Sequence, residues 1–489
     1  MTPRRLALTA AVSALLLSRG ASAQSTPYAP PGTPVWVKSP QLGQGVGVHA
    51  GDLELHWSLA GQAGYDSNYF LRTDRVDNPQ VANGPPVAPV IPAMSFLITP
   101  SLTISTLGQQ QRESAGSEPS IVFHAGVSAT YRDFISLSSD SQASAPSNDV
   151  SSNRNVSGAA DARLDVLPGR PWAAAFTVNY ARSIQPNAVA ANPDLSFNND
   201  TVGGTGEIIA QPGSGTLDWH LGAGYQAALF EQSQATGFNN GTVNAFTRGR
   251  WNFRPKTALL YDGSMTFLTY NDSAGASNQG LVNSTPVRTR IGMNGLITNQ
   301  FALLAMVGWG ASFYDVAQNS KQPQYDSVIG QAELKWFLTA SPGISNANVL
   351  TLALSSIALG YTRDFQNSYL GNFYGSDRGY LKFSYLFGPR AVLSLEGGVG
   401  AVEYPNMFWS DNTVRHSSFT DTRADATLFG EYRFTDTLGV NATLRYSENF
   451  SGVRDMPVTE AVPTTGMAPN LYDMQWARYE AYLGVRWFM

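Results

Sequence analysis

The charged side chains of this sequence recur at every second position within stretches that are otherwise small or apolar. In the segment 419–434, for example, Asp421, Arg423, Asp425, Glu431 and Arg433 alternate with residues such as Ala424 and Leu428. Alternate residues of a β-strand point to the same face, so one face of this segment is charged and the other is apolar. Acids and bases mixed on one face can neutralise one another or contact a hydrated solute.

No combination of residues predicts catalysis. The five histidines, His49, His56, His124, His220 and His416, are scattered without paired spacing, and we interpret His56, His124 and His220 as isolated residues on polar strand faces. GxSxG and HExxH motifs are absent, and a sequence without cysteine has no Cys/His metal cluster. The sequence therefore predicts a protein that is not an enzyme and that needs no metal or cofactor.

The elements that position these residues are short alternating segments, each about 10–15 residues long, which is typical of transmembrane barrel strands. The predicted strands are 52–65, 94–107, 119–134, 154–167, 171–183, 200–211, 216–230, 241–254, 256–270, 286–298, 300–314, 326–338, 348–363, 376–387, 389–404, 419–434, 436–450 and 473–489. Short Gly-, Pro- and Asn-containing turns alternate strictly with long Asn- and Ser-rich loops. The pattern predicts an all-β, antiparallel barrel of about 18 strands in the outer membrane of a Gram-negative bacterium, with short periplasmic turns and long extracellular loops.

The charged faces are expected to line the lumen, because Arg or Lys facing lipid at the bilayer midplane costs about 2–4 kcal/mol. The predicted pore wall comprises Arg163, Arg248, Arg250, Arg288, Arg290, Arg423, Arg433, Arg445, Arg478, Glu207, Asp218, Glu333, Asp421, Asp425, Glu431 and Glu480. Two interpretations stay open. The charges either neutralise one another across neighbouring strands, or the doublets Arg248/Arg250 and Arg288/Arg290 form a basic patch for an anionic solute.

Composition and the chain ends set further limits. Charged residues make up 14% of the chain and the net charge is −5, which does not suggest nucleic-acid binding. Residues 1–23 resemble a signal peptide, with Arg4 and Arg5 before an apolar run and the Ala21-Ser22-Ala23 cleavage pattern. We expect residues 24–51 to be a proline-rich periplasmic tail and residues 52–489 to be the barrel.

Aromatic residues near predicted strand ends are expected to form girdles at the two membrane surfaces. They are Tyr65, Trp172, Trp251, Phe253, Trp336 and Trp487. The final strand alternates from Tyr479 to Met489 and resembles the C-terminal strand through which the assembly machinery recognises outer-membrane barrels, except that Phe488 is out of phase and Met489 ends the chain. The resemblance implies that this machinery is a partner of the chain.

The segment Gly64-Tyr65-Asp66-Ser67-Asn68-Tyr69-Phe70-Leu71-Arg72 closes the first predicted strand. Asp and Asn in such a segment bond to their own backbone and shape a turn, so Tyr65, Asp66, Asn68 and Phe70 form a candidate rim motif. The segment resembles the stretch after the opening strand in the β-barrel porin 2 family. The resemblance implies an eighteen-stranded barrel associated with exopolysaccharide export, working beside a periplasmic polysaccharide-export protein.

Three functions remain open from the sequence. The first is a passive conduit for a hydrophilic exopolysaccharide, which the resemblance favours. The second is a diffusion porin for small hydrophilic solutes, which a wall of mixed charge favours. The third is a structural or adhesive surface barrel whose polar loops bind an external partner.

Overall fold

The computed structural model describes most of the chain. The described residues are 47–51, 53–74, 90–106, 120–137, 150–184, 198–212, 216–278, 280–315, 321–338, 355–387, 390–409, 411–454, 456–457 and 471–489. The predicted signal peptide 1–23 and most of the predicted tail 24–51 lie outside these residues. Within them, no helix is both long and apolar enough to cross a membrane.

Eighteen long strands form the barrel, as predicted. They are β2 (Leu53–Asp66), β3 (Ala93–Thr106), β4 (Ile121–Ser136), β5 (Asn155–Val166), β6 (Trp172–Ser183), β7 (Asn199–Ala210), β8 (Leu217–Phe230), β9 (Asn240–Arg254), β10 (Thr257–Tyr270), β11 (Ser284–Leu296), β12 (Phe301–Tyr314), β13 (Tyr325–Phe337), β14 (Ser356–Ser368), β15 (Asn372–Phe387), β16 (Ala391–Tyr404), β19 (Phe419–Arg433), β20 (Leu438–Phe450) and β23 (Trp476–Phe488).

Five short strands lie outside this ring. They are β1 (Val48–Ala50), β17 (Met407–Phe408), β18 (Val414–His416), β21 (Met456–Pro457) and β22 (Leu471–Tyr472). β1 pairs with the first residues of β2, so the end of the predicted tail already belongs to the sheet. The other four form two small hairpins within the connections that follow β16 and β20.

The sheet closes on itself. Every barrel strand pairs antiparallel with its neighbour in sequence, and the ring is completed where Ser58–Asp66 of β2 pairs with Glu480–Phe488 of β23. A closed ring leaves no barrel strand with an unpaired edge, and it satisfies the backbone hydrogen bonds that lipid cannot satisfy.

The connections segregate by length, with three exceptions to the predicted strict alternation. An even strand number places both ends of the barrel sequence on one side, which is the periplasmic side in bacterial barrels. The connections 107–120 and 338–355 are long although they lie on this inner side, and 369–371 is short although it lies on the outer side. The predicted strand 348–363 is also displaced, because β14 runs from Ser356 to Ser368.

The two faces of the wall differ as the alternation predicts. Large apolar side chains on one face are exposed, among them Leu483 at 67% and Leu221 at 61% of their full accessible area. All six predicted girdle aromatics share this exposed face, from Tyr65 at 42% to Trp172 at 68%. A wall that is apolar outside and polar inside is stable in a bilayer and not in water.

Candidate functional site: the barrel wall and its outer mouth

The predicted wall residues lie on the concave side of the sheet. Arg163 of β5 reaches Glu207 of β7, with the Nη2–Oε1 distance at 3.4 Å, and Gln62 of β2 donates to Asn441 of β20 over 3.1 Å. Each of these contacts passes over an intervening strand. Side chains make such contacts where a curved sheet brings them together, which is its inner face.

Glu207 is the centre of a charged cluster near the inner end of the wall. Its Oε2 accepts hydrogen bonds from Arg248 at 2.5 Å and from His220 Nδ1 at 3.1 Å, while Oε1 faces Arg163. Asp218 lies 3.0 Å from the other ring nitrogen of His220, and Asp165 lies 2.8 Å from Arg163. The interpretation of His220 as an isolated residue was therefore wrong, because Asp218 precedes it by two positions on the same strand face and the register of β7 places Glu207 beside it. His56 and His124 are not isolated either, since they lie 3.3 Å from Glu54 and 3.7 Å from Asp161.

The two arginine doublets are brought side by side with an acid between them. Asp262 of β10 lies directly opposite Arg248 on one neighbour and Arg290 on the other, and it forms an ion pair with Arg290. Arg288 pairs with Asp364 at 3.1 Å. Arg250 lies opposite Asp218 in the sheet, and its Nε donates to an Asn252 oxygen 3.0 Å away. These partners favour mutual neutralisation over a basic patch.

A second charged cluster lies at the inner ends of β19 and β23. Glu431 Oε1 accepts from Arg433 at 3.1 Å and from the fully buried Arg486 at 2.6 Å. Both guanidinium groups lie over the ring of Phe488, at 4.7 and 4.5 Å from its centre. Phe488 therefore points inward and Met489 outward, in the phase that the alternation predicts.

The remaining predicted wall residues are joined to neutral polar groups as well as to charges. Arg378 pairs with Asp425 at 2.6 Å, and the Tyr380 hydroxyl donates to Glu333 over 2.7 Å. These contacts pass over one strand, as expected for the concave face.

Asn449 connects the two other predicted residues of β19. Its side-chain oxygen accepts from Arg423 at 3.0 Å, and its Nδ2 donates to Asp421 at 2.9 Å. Arg423 also donates to the Tyr404 hydroxyl over 2.7 Å. The outer part of this wall is therefore held by amides and phenols between its charges.

The seam between first and last strand carries a network of deeply buried charges. Asp66 at the end of β2 forms an ion pair with Arg478 of β23, and Glu480 lies 3.4 Å from the same guanidinium. Tyr482 donates to Glu480 over 2.9 Å, and Arg445 of β20 lies opposite Glu480 in the sheet. The predicted rim residue Asp66 thus belongs to the same network as the predicted wall residues Arg478, Glu480 and Arg445.

The rim motif is a tight turn that folds inward from the seam. The Asn68 side-chain oxygen accepts from the Arg72 backbone at 3.0 Å, and its Nδ2 donates to the carbonyls of Arg72 and Ala477, at 2.7 and 2.9 Å. Leu71 has a positive φ of 53°, which closes the turn. Asn68 thereby ties the loop after β2 to the residue before Arg478.

Two aromatic residues of the motif are buried beneath this turn. Tyr69 and Phe70 are 1% and 2% exposed and pack with Ile91, Phe134 and Val150. Burial raises the pKa of Tyr69 to about 12. Of the four predicted rim residues, Asp66, Asn68 and Phe70 point into the protein and Tyr65 points outward to the girdle.

The outer connections pack on one another across part of the mouth. Tyr369, in the turn between β14 and β15, contacts Phe230 and Phe238 with ring centres 5.4 Å apart in each case. Asn240 Nδ2 lies 3.4 Å from the Tyr369 hydroxyl. Because four strands lie between β9 and β14 and five lie between β8 and β14, these contacts cross part of the opening.

Further contacts between outer connections continue from the β14–β15 turn toward the seam between β2 and β23. Asn372, at φ 68°, donates to the Gly280 carbonyl at 3.0 Å and to Gln322 at 3.2 Å, and Gln322 donates to the Phe408 carbonyl at 3.3 Å. Met407 beside Phe408 packs into a buried cluster whose other members are Tyr374, Val402, Tyr404, Val453, Met456 and Met474. We call the described parts of the connections 231–239, 271–283, 321–324, 369–371, 405–418 and 451–475 the loop bridge.

Some residues of the network were absent from the predicted wall. Arg132, which is 3% exposed, lies an even number of residues from His124 in β4, so both side chains are on the same face of that strand. Arg378 and Lys382 share a face of β15 for the same reason. The alternation of each strand therefore suffices to assign Arg132 and Arg378 to the inner face of the wall. Tyr369 and Asn372 carry no such signal, because their contacts depend on how the loops fold. Within the described ranges, no group of three or more His, Asp or Glu side chains is arranged to hold a metal ion.

No family model matches the chain, and no curated protein matches its sequence. Among solved structures, a BenF-like porin from Pseudomonas fluorescens Pf-5 is 10% identical with a TM-score of 0.43, covering 90% of this chain and 99% of the porin. The outer membrane protein OpdK of Pseudomonas aeruginosa is 11% identical with a TM-score of 0.40, covering 89% and 99% of the two chains. The FrpB iron transporter of Neisseria meningitidis is 8% identical with a TM-score of 0.42, covering 88% and 81%.

The wall itself defines the class of protein. It is a closed antiparallel ring of eighteen strands with an apolar exterior and a charged, hydrogen-bonded interior. These properties place the chain in the outer membrane of a Gram-negative bacterium as a β-barrel.

Proposed function

We propose that the chain is a passive diffusion channel for small hydrophilic solutes. Barrels of sixteen to eighteen strands are wide enough to leave an aqueous lumen unless a loop or plug fills it. The loop bridge is the observation that carries the proposal, because contacts that cross the mouth reduce the opening to less than the barrel diameter. A narrowed mouth suits solutes of a few atoms' width better than a moving polymer.

The wall supports passage without tight binding. Its charges are paired with one another, as in Glu207 with Arg248 and Asp425 with Arg378. A paired charge presents a weaker field to a passing solute than a free charge does, while it still hydrates the lumen. Passage of a solute through such a channel makes and breaks no covalent bond.

The test is transport through the purified barrel. In planar bilayers we expect steady open-channel conductance, and in swelling assays with proteoliposomes we expect monosaccharides to enter faster than trisaccharides. A barrel that conducts no ions, or that admits large dextrans as readily as glucose, contradicts the proposal.

The second candidate is a conduit for exopolysaccharide secretion. The rim motif, with its resemblance to the β-barrel porin 2 family, favours it, and so do the neutral groups Gln62, Asn441 and Asn449 on the wall, which can bond to sugar hydroxyls. This function requires a periplasmic polysaccharide-export partner. Deletion of the gene separates the candidates: surface polysaccharide disappears if the barrel is the conduit, and it is unchanged if the barrel is a solute channel.

Assembly involves the last strand in either case. The outward residues Tyr479, Leu483, Val485 and Trp487 form the apolar face of β23, and we propose that the barrel-assembly machinery binds this strand. Substituting two of them with serine is expected to lower the amount of barrel in the outer membrane, measured against an untouched periplasmic marker.

A further inference from the structure

Charged residues on the lipid-facing side of the wall are confined to the outer halves of the described strands. Strand parity places eight of them beside exposed apolar residues such as Val202 and Val328: Asp133, Arg182, Asp200, Asp326, Arg363, Asp377, Glu403 and Glu448. In the inner halves of the same strands, outward positions carry apolar, small or aromatic residues, including Trp172, Trp251, Trp336 and Trp487. We call these eight residues, with Arg154 and Glu231 at adjoining strand ends, the outer belt.

Four carboxylates of the outer belt are held by aromatic side chains that are exposed or, in the case of Tyr446, partly exposed. The Tyr180 hydroxyl donates to Asp200 over 2.7 Å, and the Trp309 indole donates to Asp326 over 2.5 Å. Tyr361 donates to Asp377 and Tyr446 to Glu448 in the same way. Each carboxylate has about four acceptor sites, so one such bond orients it and leaves capacity for a ligand.

The arginines of the outer belt are also oriented and partly exposed. Arg154 pairs with Asp133 at 3.0 Å, Arg182 with Glu231 at 2.7 Å, and Arg363 with Asp377 at 2.8 Å. Guanidinium groups held in this way bind phosphate oxygens well, because their donors form a planar fork.

We propose that the outer belt binds the phosphorylated sugar headgroups of outer-leaflet glycolipid. A saccharide carries many hydroxyl donors for oriented carboxylates, and its C–H faces pack on exposed rings such as Tyr180 and Trp309. Its phosphates pair with the three arginines. A glycerophospholipid headgroup supplies phosphate but few hydroxyl groups, so it satisfies the arginines and not the six acidic residues in the strands. Lipid-facing charges occur in the outer halves of the described strands and not in the inner halves. This distribution matches a membrane with glycolipid in its outer leaflet and glycerophospholipid in its inner leaflet.

This inference concerns the outside of the barrel and does not depend on what passes through it. The test variant combines Asp200→Asn, Asp326→Asn and Glu448→Gln, which removes three belt charges and keeps side-chain size. The matched control combines Asp315→Asn, Asp411→Asn and Asp436→Asn, which removes three charges from exposed positions in connections. Both are purified in mild detergent after extraction from outer membranes, and bound lipopolysaccharide is counted by native mass spectrometry.

The belt variant is expected to retain at least about tenfold less lipopolysaccharide per barrel than the wild type, since the loss of even one hydrogen bond to a charged group lowers binding by roughly one order of magnitude. The control is expected to match the wild type. Equal retention by the belt variant and the control overturns the proposal.

A second measurement uses only the wild type and so does not depend on the folding of a variant. The temperature at which the barrel unfolds is compared in vesicles of phosphatidylethanolamine with added lipopolysaccharide or with added phosphatidylglycerol. We expect a larger increase with lipopolysaccharide. An equal or larger increase with phosphatidylglycerol means that anionic charge alone is recognised, and it overturns the proposal for sugar recognition.

Discussion

Arg478 on the last barrel strand and Asp66 on the first form an ion pair across the seam, although 412 residues separate them in the sequence. Both side chains are almost completely buried, at 3% and 1% exposure. Removing one partner of a buried pair leaves the other charge without compensation, which is far more costly than breaking an exposed pair.

We therefore expect Arg478→Gln to lower the free energy of unfolding by about 3–5 kcal/mol. The measurement is urea-induced unfolding in detergent micelles, followed by tryptophan fluorescence. Lys382→Gln is the control, because Lys382 and Glu396 are 3.8 Å apart and both are partly exposed, and its effect should stay below about 1 kcal/mol. Equal effects of the two substitutions contradict a stabilising role for the seam pair.

Tyr69 makes the folding stability of the rim depend on pH. Burial raises its pKa to about 12 from an ordinary value of 10, so the folded rim favours the protonated phenol. Its contribution is fully present below pH 10 and is lost as the pH rises through about 12, amounting to about 3 kcal/mol. The Tyr69→Phe variant has no phenol to ionise at this position, so its unfolding free energy should not show this decrease at alkaline pH.

The measurement for Tyr69 is the difference in unfolding free energy between wild type and variant at pH 9 and at pH 12. Tyr225→Phe, at an exposed outward position, serves as the control and should follow the wild type. A Tyr69→Phe variant that loses as much stability as the wild type between these pH values rules out this contribution.

Tyr369 is the side chain that carries the loop bridge across the mouth. Tyr369→Ala removes its contacts with Phe230 and Phe238, a truncation that costs about 3–5 kcal/mol where an aromatic residue is well packed. We expect a larger single-channel conductance and entry of larger poly(ethylene glycol) molecules. Tyr369→Phe keeps the ring and should conduct like the wild type; an unchanged conductance in Tyr369→Ala places the narrowest point elsewhere.

Glu207 determines the charge balance of the inner cluster. Glu207→Gln removes the acid that Arg163, Arg248 and His220 share, so the local field becomes more positive. We expect the reversal potential in a KCl gradient to move toward that of chloride. Asp436→Asn, in an exposed inner turn, changes the total charge equally and is expected to leave selectivity as it was.

Strand positions could be read from the sequence because lipid and water impose opposite demands on alternate residues. The prediction failed at β14, where the apolar stretch before residue 356 has the same alternation as a strand. It also missed the length of the β14–β15 hairpin. Gly371 and Asn372, both at positive φ, allow a three-residue turn, so the two strands extend further toward the mouth than the predicted segments.

The partners of the wall charges could not be read from the sequence. Parity assigns Glu207 and His220 to the same face, but only the register between β7 and β8 and the curvature of the sheet place them 3.1 Å apart. The loop bridge is less predictable still, because Tyr369 and Asn372 act through contacts with loops that are distant in the sequence.

Closure of the ring through β2 and β23 has a consequence for biosynthesis. The partner of Ser58–Asp66 in the first barrel strand is the last barrel strand to be synthesised, so this part of β2 has no native partner on that edge until β23 has been made, whereas Leu53–Leu55 already pair with β1. An exposed edge of this kind is a template for aggregation, and its native contacts have the longest possible sequence separation. The ring can therefore close only after the thirteen-residue strand Trp476–Phe488 has been made.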